Sequence, residues 1–407
     1  MRLIIFLAII FAFDYYVFQA FKVAASTWSA GLRNALFIFF WSIPVLTAIL
    51  LLSIAYGDLS AWNKSALTLL RSFLFIAYFC KFLIAAVLLV DDLRRLSLIA
   101  YDGIAGAGMY DPSRSKFLAQ FSLILGSIPF LLLSYGIIRN PYRYRVFREQ
   151  LRLNTLPKEL AGLRIIQISD IHSGSFTLKE PIRNAIEMIN AQKPDLVFFT
   201  GDMVNNVATE MEPFIDVFDK IEAKYGVYSV LGNHDYGDYT YWENAEAKRQ
   251  NLEKLKAIHQ KMGWQLLLNE NKDIDVKGKK VAIIGVENYS AHPRFPKYGD
   301  LEKAHAGTEA AQLKLLLSHD PSHWEDQVTE AFKDIAITFS GHTHGMQFGI
   351  EIPGWLKWSP IQYVYKQWAG LYQKNEQFLY VNRGLGFLGY PGRVGILPEI
   401  TLIELTA

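Results

Sequence analysis

Hydrophobic positions along the chain follow two regimes. Before residue 139 they gather into four long runs, Leu3–Phe21, Ala35–Tyr56, Phe73–Val90 and Phe117–Ile138. Each has roughly the 17–25 residues that an α-helix needs to cross a bilayer. From Leu163 onward the apolar runs are short and alternate with helical patterns. Strands are predicted at Arg164–Ile168, Leu196–Thr200, Val227–Leu231, Lys280–Val286, Lys314–Leu317, Ile335–Phe339, Phe378–Val381 and Glu399–Glu404. Helices are predicted at Glu180–Ala191, Pro213–Lys224, Tyr241–Met262, Glu309–Gln312 and Ser322–Ala331. This alternation points to an α/β (α+β) layered fold. Between the two regimes, Tyr142–Arg148 alternates with a period of two, as a strand with one basic face does.

Charge follows the same division. Asp, Glu, Lys and Arg number 16 in residues 1–138 and 64 in residues 139–407, the first glutamate is Glu149, and all nine histidines lie at or beyond His172. The chain therefore reads as a membrane region, residues 1–139, followed by a soluble domain, residues 140–407. Leu3–Phe21 lacks a clear small-residue cleavage site and three more spans follow, so it reads as a span and not a secretory signal. Asp14 and Lys81 fall inside spans. They serve either as a polar relay or as a mutual ion pair, and one pair does not make a pathway. Pro44 and Pro129 lie within helices that membrane bundles tolerate. A net charge of +2 provides no broad phosphate-attracting field, so no nucleic-acid partner is expected. Cys80 is the only cysteine, which excludes an intrachain disulfide scaffold.

The chemistry sits where strands end. Five apolar strands run into Asp170-Ile171-His172, Gly201-Asp202, Gly232-Asn233-His234-Asp235, His319-Asp320 and Gly341-His342-Thr343-His344. In open α/β sheets the carboxyl rim of the strands is where sites assemble. Carboxylate, amide and imidazole donors without thiolate suit Mn, Fe or Zn. Asp170, His172, Asp202, Asn233, His319, His342 and His344 make seven donors, enough for two ions that share a bridge. The glycines at 201, 232 and 341 let the backbone turn sharply against the ions.

The set closely resembles the calcineurin-like metallophosphoesterase superfamily. Its signature appears as Asp170-x-His172, Gly201-Asp202-Met203-Val204-Asn205, Gly232-Asn233-His234-Asp235, a lone His319 and Gly341-His342-x-His344. Ile168–His172, Asn382-Arg383-Gly384-Leu385-Gly386 and Pro398-Glu399-Ile400 resemble the bacterial phosphodiesterase branch typified by YkuE and YaeI. Asn205 departs from the pattern, which usually has aspartate there. The resemblance covers residues 140–407 and implies a four-layer αββα sandwich with two divalent metal ions. It implies that Asp170, His172 and His344 hold one ion, that Asn233, His319 and His342 hold the other, and that Asp202 bridges. His234 is then the acid or phosphate-stabilising residue, oriented by Asp235, and a metal-bridging hydroxide attacks phosphorus in line.

The other motifs leave choices open. His259, in a charged helix, reads as a surface residue, and His292, His305 and His323 read as surface or packing residues. Arg383 and Arg393 either grip a substrate phosphate bidentately or anchor loops. Trp355, Trp358, Tyr363, Tyr365, Trp368 and Tyr372, with Lys357 and Lys366, form either a membrane-facing lip or a packed cap. The expected activity is hydrolysis of a phosphodiester or pyrophosphate, with a lipid-linked substrate suggested by the spans and by relatives that act on lipid A precursors. The alternatives are a sensor or transporter-like bundle with a phosphoesterase output, or a protein phosphatase. Basic residues flanking the spans divide six against six, so the positive-inside rule does not choose a topology. The expectation carried forward is a multi-pass protein of the cell (inner) membrane, with its lipid bilayer as one partner and the catalytic domain on the cytoplasmic side.

Overall fold

The structure, a computed structural model, describes residues 2–57, 62–105, 114–352 and 354–407. It divides into two compact units, residues 1–135 and 136–407.

The four apolar runs form helices α1 (Arg2–Ala24), α2 (Ala30–Tyr56), α3 (Lys64–Ala105) and α4 (Lys116–Arg139). All four are long and apolar enough to cross a membrane. α3 is the surprise. Its 42 residues span about 63 Å at 1.5 Å per residue, well past the expected Phe73–Val90. The helix continues through the Asp91–Arg95 cluster because those charges pair along it, Arg94 with Asp91 and Arg95 with Asp92, both at 2.9 Å. In hydrocarbon a backbone has no water to bond, so the helix satisfies every group internally. Asp14 and Lys81 pair with each other at 2.5 Å. The Tyr78 hydroxyl donates to the second Asp14 oxygen at 2.9 Å, and the Lys81 ammonium lies 4.4 Å from the centre of the Phe40 ring. Aromatic contacts among Phe18, Phe21, Phe40 and Trp41 pack α1 against α2.

The second unit holds two six-stranded sheets. In chain order its strands are β1 (Arg145–Arg152), β2 (Arg164–Ile168), β3 (Leu196–Phe199), β4 (Val227–Ser229), β5 (Gln265–Leu266), β6 (Glu270–Val276), β7 (Lys279–Gly285), β8 (Leu313–Leu317), β9 (Ile337–Ser340), β10 (Ile350–Ile352), β11 (Leu356–Trp358), β12 (Gly370–Lys374), β13 (Gln377–Val381) and β14 (Glu399–Thr406). One sheet runs β1-β14-β2-β3-β4-β5, the other β12-β13-β9-β8-β7-β6, and β10 pairs with β11 as a separate ribbon. β2, β3, β4 and β5 are mutually parallel, as are β7, β8, β9 and β13. Inner faces of both sheets share one core, in which Ile165, Phe198 and Tyr228 meet Ile283, Leu315, Phe339 and Tyr380. The first sheet's outer face packs under α5 (Glu180–Asn190), α6 (Ile215–Phe218) and α7 (Ala245–Lys261). The other's is covered by α8 (Leu301–His305) and by a π-turn at Trp324–Val328 that leads into α9 (Thr329–Ala331). This is the expected αββα order of layers.

Several helices differ from expectation for local reasons. Glu309–Gln312 is not helical: the helix there is α8, which Asp300 caps by accepting from the Lys303 N–H, and Gly307 at φ 83° follows it. Pro213–Lys224 shortens to a 3₁₀ turn and α6, because the Asn190 side chain captures the Lys220 carbonyl and the Glu222 N–H. α7 starts at Ala245, capped by Asn244, and not at Tyr241.

His259 is a correction. It is fully buried on the inner face of α7 beside Leu255 and Ile258, the i, i+3, i+4 stripe that a helix turns to its core. Its Nδ1 bonds the Ser229 hydroxyl at 2.9 Å, and Trp264 lies against the ring. Burial pushes the imidazole down to about 3. Its contribution to stability is therefore present above the unfolded value near 6.5 and is lost as pH falls toward about 3, with a slope of about 1.4 kcal/mol per pH unit. Thermal unfolding of the full-length protein between pH 7 and pH 5 is expected to lose stability less steeply in His259→Gln than in the parent; equal slopes would contradict this origin.

Candidate metal centre

The five motifs meet as the sheet order requires. β2, β3 and β4 are adjacent and parallel, so their carboxyl ends place Asp170, His172, Asp202, Asn233 and His234 on one rim. β8 and β9, adjacent in the other sheet, bring His319, His342 and His344 to meet them.

Local backbone makes this convergence possible. Asp170, His172, Asp202, His342 and His344 all have left-handed φ, between 46° and 72°. Such a conformation costs an L-residue about 1–2 kcal/mol, and it persists where surrounding bonds over-determine it. Those bonds are present. Asp170 N–H donates to Gly201 O at 2.9 Å, His172 N–H to Asp202 O at 3.1 Å, and Gly341 N–H to His319 O at 2.9 Å. The His342 N–H reaches the Asp170 carboxylate at 3.0 Å and the His234 N–H reaches Asp202 Oδ1 at 2.8 Å. Gly341 is obligatory, since a Cβ there would overlap the Ser169 hydroxyl and the Asp170 carboxylate.

Two groups of side chains could hold metal ions: Asp170, His172 and His344, and Asp202, His319 and His342. Donors about 2.1 Å from one ion stand about 3.0–3.4 Å from each other. Here His344 Nε2 lies 3.3 Å from Asp170 Oδ1, and His319 Nε2 lies 3.1 Å from Asn233 Oδ1. Asn233 Oδ1 is also 2.9 Å from His342 Nδ1. Asp202 Oδ2 lies between the groups, 3.2 Å from His319 Nε2 and 3.5 Å from His172 Nε2. Both nitrogens of His172 and Nε2 of His344 are buried without a protein hydrogen-bond partner, which leaves them open to a water or an ion.

The electrostatics agree with this fit. Burial holds His172 down at about 3 and His342 at about 4, so both imidazoles are neutral, the form that binds metal. His319 is also pulled down by burial, but the Asp202 and Asp170 carboxylates outweigh that and raise it to about 10. Asp170 is pushed up to about 6, by burial first. Carboxylates crowded into a dry pocket require positive charge, and the donor set fits two divalent cations.

The remaining expected residues take different places. His234 is partly exposed, and its Nδ1 bonds the Asn205 carbonyl at 2.7 Å. Asp235 does not orient that imidazole. It is fully buried, and its carboxylate accepts the N–H groups of Asp202 and Gly232 on one oxygen and of Met203 and Val204 on the other. The Asn205 amide donates to Ser175 at 3.0 Å. Neither arginine is free to grip phosphate: Arg383 is held by Glu351 and Glu399, and Arg393 is fully buried on the Gly384 and Gly386 carbonyls. The loop-anchoring alternative is the one their contacts support. The aromatic segment splits as well, with Tyr365 and Trp368 buried while Trp355 and Tyr363 are 80% and 78% exposed. Three site residues carried little sequence signal. Tyr239 accepts from the Asn233 amide at 3.0 Å, Phe295 stands edge-on to His342, and the Tyr365 hydroxyl reaches both His342 and Asp320.

Comparison with known proteins gives the same picture. Residues 163–346 match the family described as "Calcineurin-like phosphoesterase", and residues 1–141 match "Probable Calcineurin-like phosphoesterase, transmembrane domain". The chain is 28% identical over 284 residues to "Transmembrane protein with metallophosphoesterase domain" of Danio rerio, an alignment covering 68% of this chain and 60% of that protein. The Bos taurus protein of the same description is 28% identical over 322 residues, covering 76% of this chain and 67% of the relative. "Uncharacterized metallophosphoesterase YkuE" of Bacillus subtilis (strain 168) is 27% identical over 277 residues, covering 67% of this chain and 89% of the relative.

Asp235→Asn replaces an acceptor of four N–H groups with one that turns an amide toward two of them. The expected cost is about 2–3 kcal/mol of stability, together with metal binding below two ions per chain by elemental analysis. A variant with parental stability and two ions would show that Asp235 does not hold these loops.

Proposed function

We propose that the protein is a membrane-anchored, two-metal phosphoesterase, on the ground that residues 163–346 match the calcineurin-like phosphoesterase family. In this reading residues 1–139 anchor the chain and residues 140–407 carry the chemistry. The observation that carries it is the convergence of seven donors in two groups, with Asp202 Oδ2 between His319 and His172, beside the partly exposed imidazole of His234.

Asp170, His172 and His344 would hold one ion and Asn233, His319 and His342 the other, with Asp202 between them. When bound, such a pair supplies charge neutralisation for phosphate oxygens and an activated water. His234 supplies the proton. As an imidazolium it keeps its Nδ1–H on the Asn205 carbonyl and presents Nε2–H to the departing oxygen. After donation it is neutral, with the same Nδ1–H bond intact, so the ring does not reorient during turnover.

The substrate is proposed to be a phosphodiester or pyrophosphate with a lipid-linked portion. Tyr365 lines a cleft of about 450 Å³ with Val364, Lys366, His292 and Pro293, which is room for a group attached to the phosphate. Ile350, Ile352, Trp355 and Leu356 on the β10–β11 ribbon are exposed, as are Met346 and Phe348 just after His344. Exposed apolar surface of this kind suits acyl chains or a membrane interface. The catalytic domain is proposed to stand on the cytoplasmic side of the cell (inner) membrane, a placement that the six-against-six division of basic flanking residues does not itself decide.

Purified protein loaded with Mn²⁺ is expected to hydrolyse bis-p-nitrophenyl phosphate, to lose activity on chelation and to regain it with Mn²⁺. Asp202→Ala and His342→Ala are expected to be inactive, and activity retained in either would sink the two-metal reading. His234→Ala is expected to lose about 10²–10⁴-fold in kcat on an alkyl phosphodiester but far less on the p-nitrophenyl ester, whose leaving group needs no proton. The double change Ile350→Ser with Trp355→Ser is expected to raise KM several-fold for a phospholipid diester in mixed micelles and to leave the p-nitrophenyl ester unaffected. An equal effect on both substrates would remove the support for a lipid-linked one.

A further inference from the structure

His342 presents Nδ1 to the Asn233 carboxamide oxygen at 2.9 Å and to His319 Nε2 at 3.3 Å. Its other nitrogen, Nε2, lies 2.8 Å from the Tyr365 hydroxyl, which lies 3.1 Å from Asp320 Oδ2. Asp320 is fully buried and Tyr365 is 7% exposed. Asp320 is itself held, its Oδ1 accepting the Ser322 N–H at 2.8 Å.

Counting protons along this line fixes the tautomer. A carboxylate only accepts, so the single Tyr365 O–H goes to Asp320. The hydroxyl oxygen can then only accept from His342, which requires the proton of a neutral imidazole to sit on Nε2. Nδ1 is thereby left with its lone pair aimed at Asn233 and His319. On the other side, His319 donates Nδ1–H to the Thr200 carbonyl at 2.7 Å, so that once an ion takes over the charge of Asp202 and Asp170 the neutral ring would turn its Nε2 lone pair toward His342. The Asn233 amide is turned by its bond to Tyr239, so its oxygen joins them.

We infer that Tyr365, backed by Asp320, is a positioning residue that sets the tautomer and ring orientation of His342 for the ion held by Asn233, His319 and His342. The inference rests on the two-metal reading above and adds a residue outside the recognised motifs. Outer partners of this type are worth about 10–100-fold in metal affinity.

The test uses full-length protein in detergent, stripped of metal and titrated with Mn²⁺, with binding followed by the electron paramagnetic resonance of free and bound ion. The parent is expected to bind two ions per chain. Tyr365→Phe is expected to bind one at parental affinity and the other about 10–100-fold more weakly, and metal-free melting separates this from a folding defect. Asp320→Asn, which keeps an acceptor oxygen, is expected to fall between the two. Two ions bound by Tyr365→Phe at parental affinity would overturn the role of Tyr365 and leave the two-metal reading intact. A parent that binds fewer than two ions would overturn the two-metal reading itself.

Discussion

The structure turns on a geometric constraint: seven donors must leave five different strands and still converge within a few ångströms. An extended strand cannot do this, because its side chains alternate to opposite faces. The chain solves the problem by turning left-handed at Asp170, His172, Asp202, His342 and His344, at an unfavourable energy for each residue. What offsets the strain is cross-linking of the strand ends to one another. Asp235 is the clearest case, a carboxylate beside the site that touches none of the histidines and instead gathers the N–H groups of residues 202, 203, 204 and 232. Asp170 does the same from within the site by accepting the His342 N–H, tying a ligand of one sheet to a ligand of the other.

This constraint also explains how much of the site was legible in the sequence. The donors follow apolar strand runs immediately, so position along the chain nearly specifies position on the rim. That is why Asp170, His172, Asp202, Asn233, His319, His342 and His344 could be named before any coordinates. The supporting residues have no such signal. Tyr239 and Tyr365 reach the site from loops whose path depends on packing, and Asp235 looked like a partner for His234 only because the two are adjacent in sequence. In the fold, the central parallel strands were legible because burial on both faces makes them uniformly apolar. β6, with the sequence Glu-Asn-Lys-Asp-Ile-Asp-Val, lies at a sheet edge and shows almost no apolar pattern. His259 reads as exposed in the sequence because it is one polar side chain on a charged helix, and only the stripe it shares with Leu255 and Ile258 places it in the core.

The membrane unit obeys the same physics with a different solvent. It contains no glutamate, in keeping with the poor hydration of carboxylates in hydrocarbon. Three of its aspartates, Asp14, Asp91 and Asp92, are paired. Asp14 has Lys81 and Tyr78, and Asp91 and Asp92 have Arg94, Arg95 and Arg114. A buried pair of this kind is weak evidence for stability, since desolvation opposes the attraction. It does explain why α3 continues unbroken through a cluster that the hydropathy pattern takes as its end.

The two arginines bear on how the site handles its substrate. Both are buried near it, and both are held in place, Arg383 by Glu351 and Glu399 and Arg393 by loop carbonyls that its Nε and one terminal nitrogen reach. Withdrawing either from its partners would leave a buried carboxylate or carbonyl uncompensated, which costs more than a new phosphate contact returns. Positive charge for an incoming phosphate must therefore come from the ion pair that the seven donors fit, and His234, partly exposed and outside the donor set, is left to move a proton. Division of labour follows from burial: the arginines fix the loop that carries Gly384 and Gly386 against Asp170 and Ile171, and the ions and His234 are left to meet the substrate.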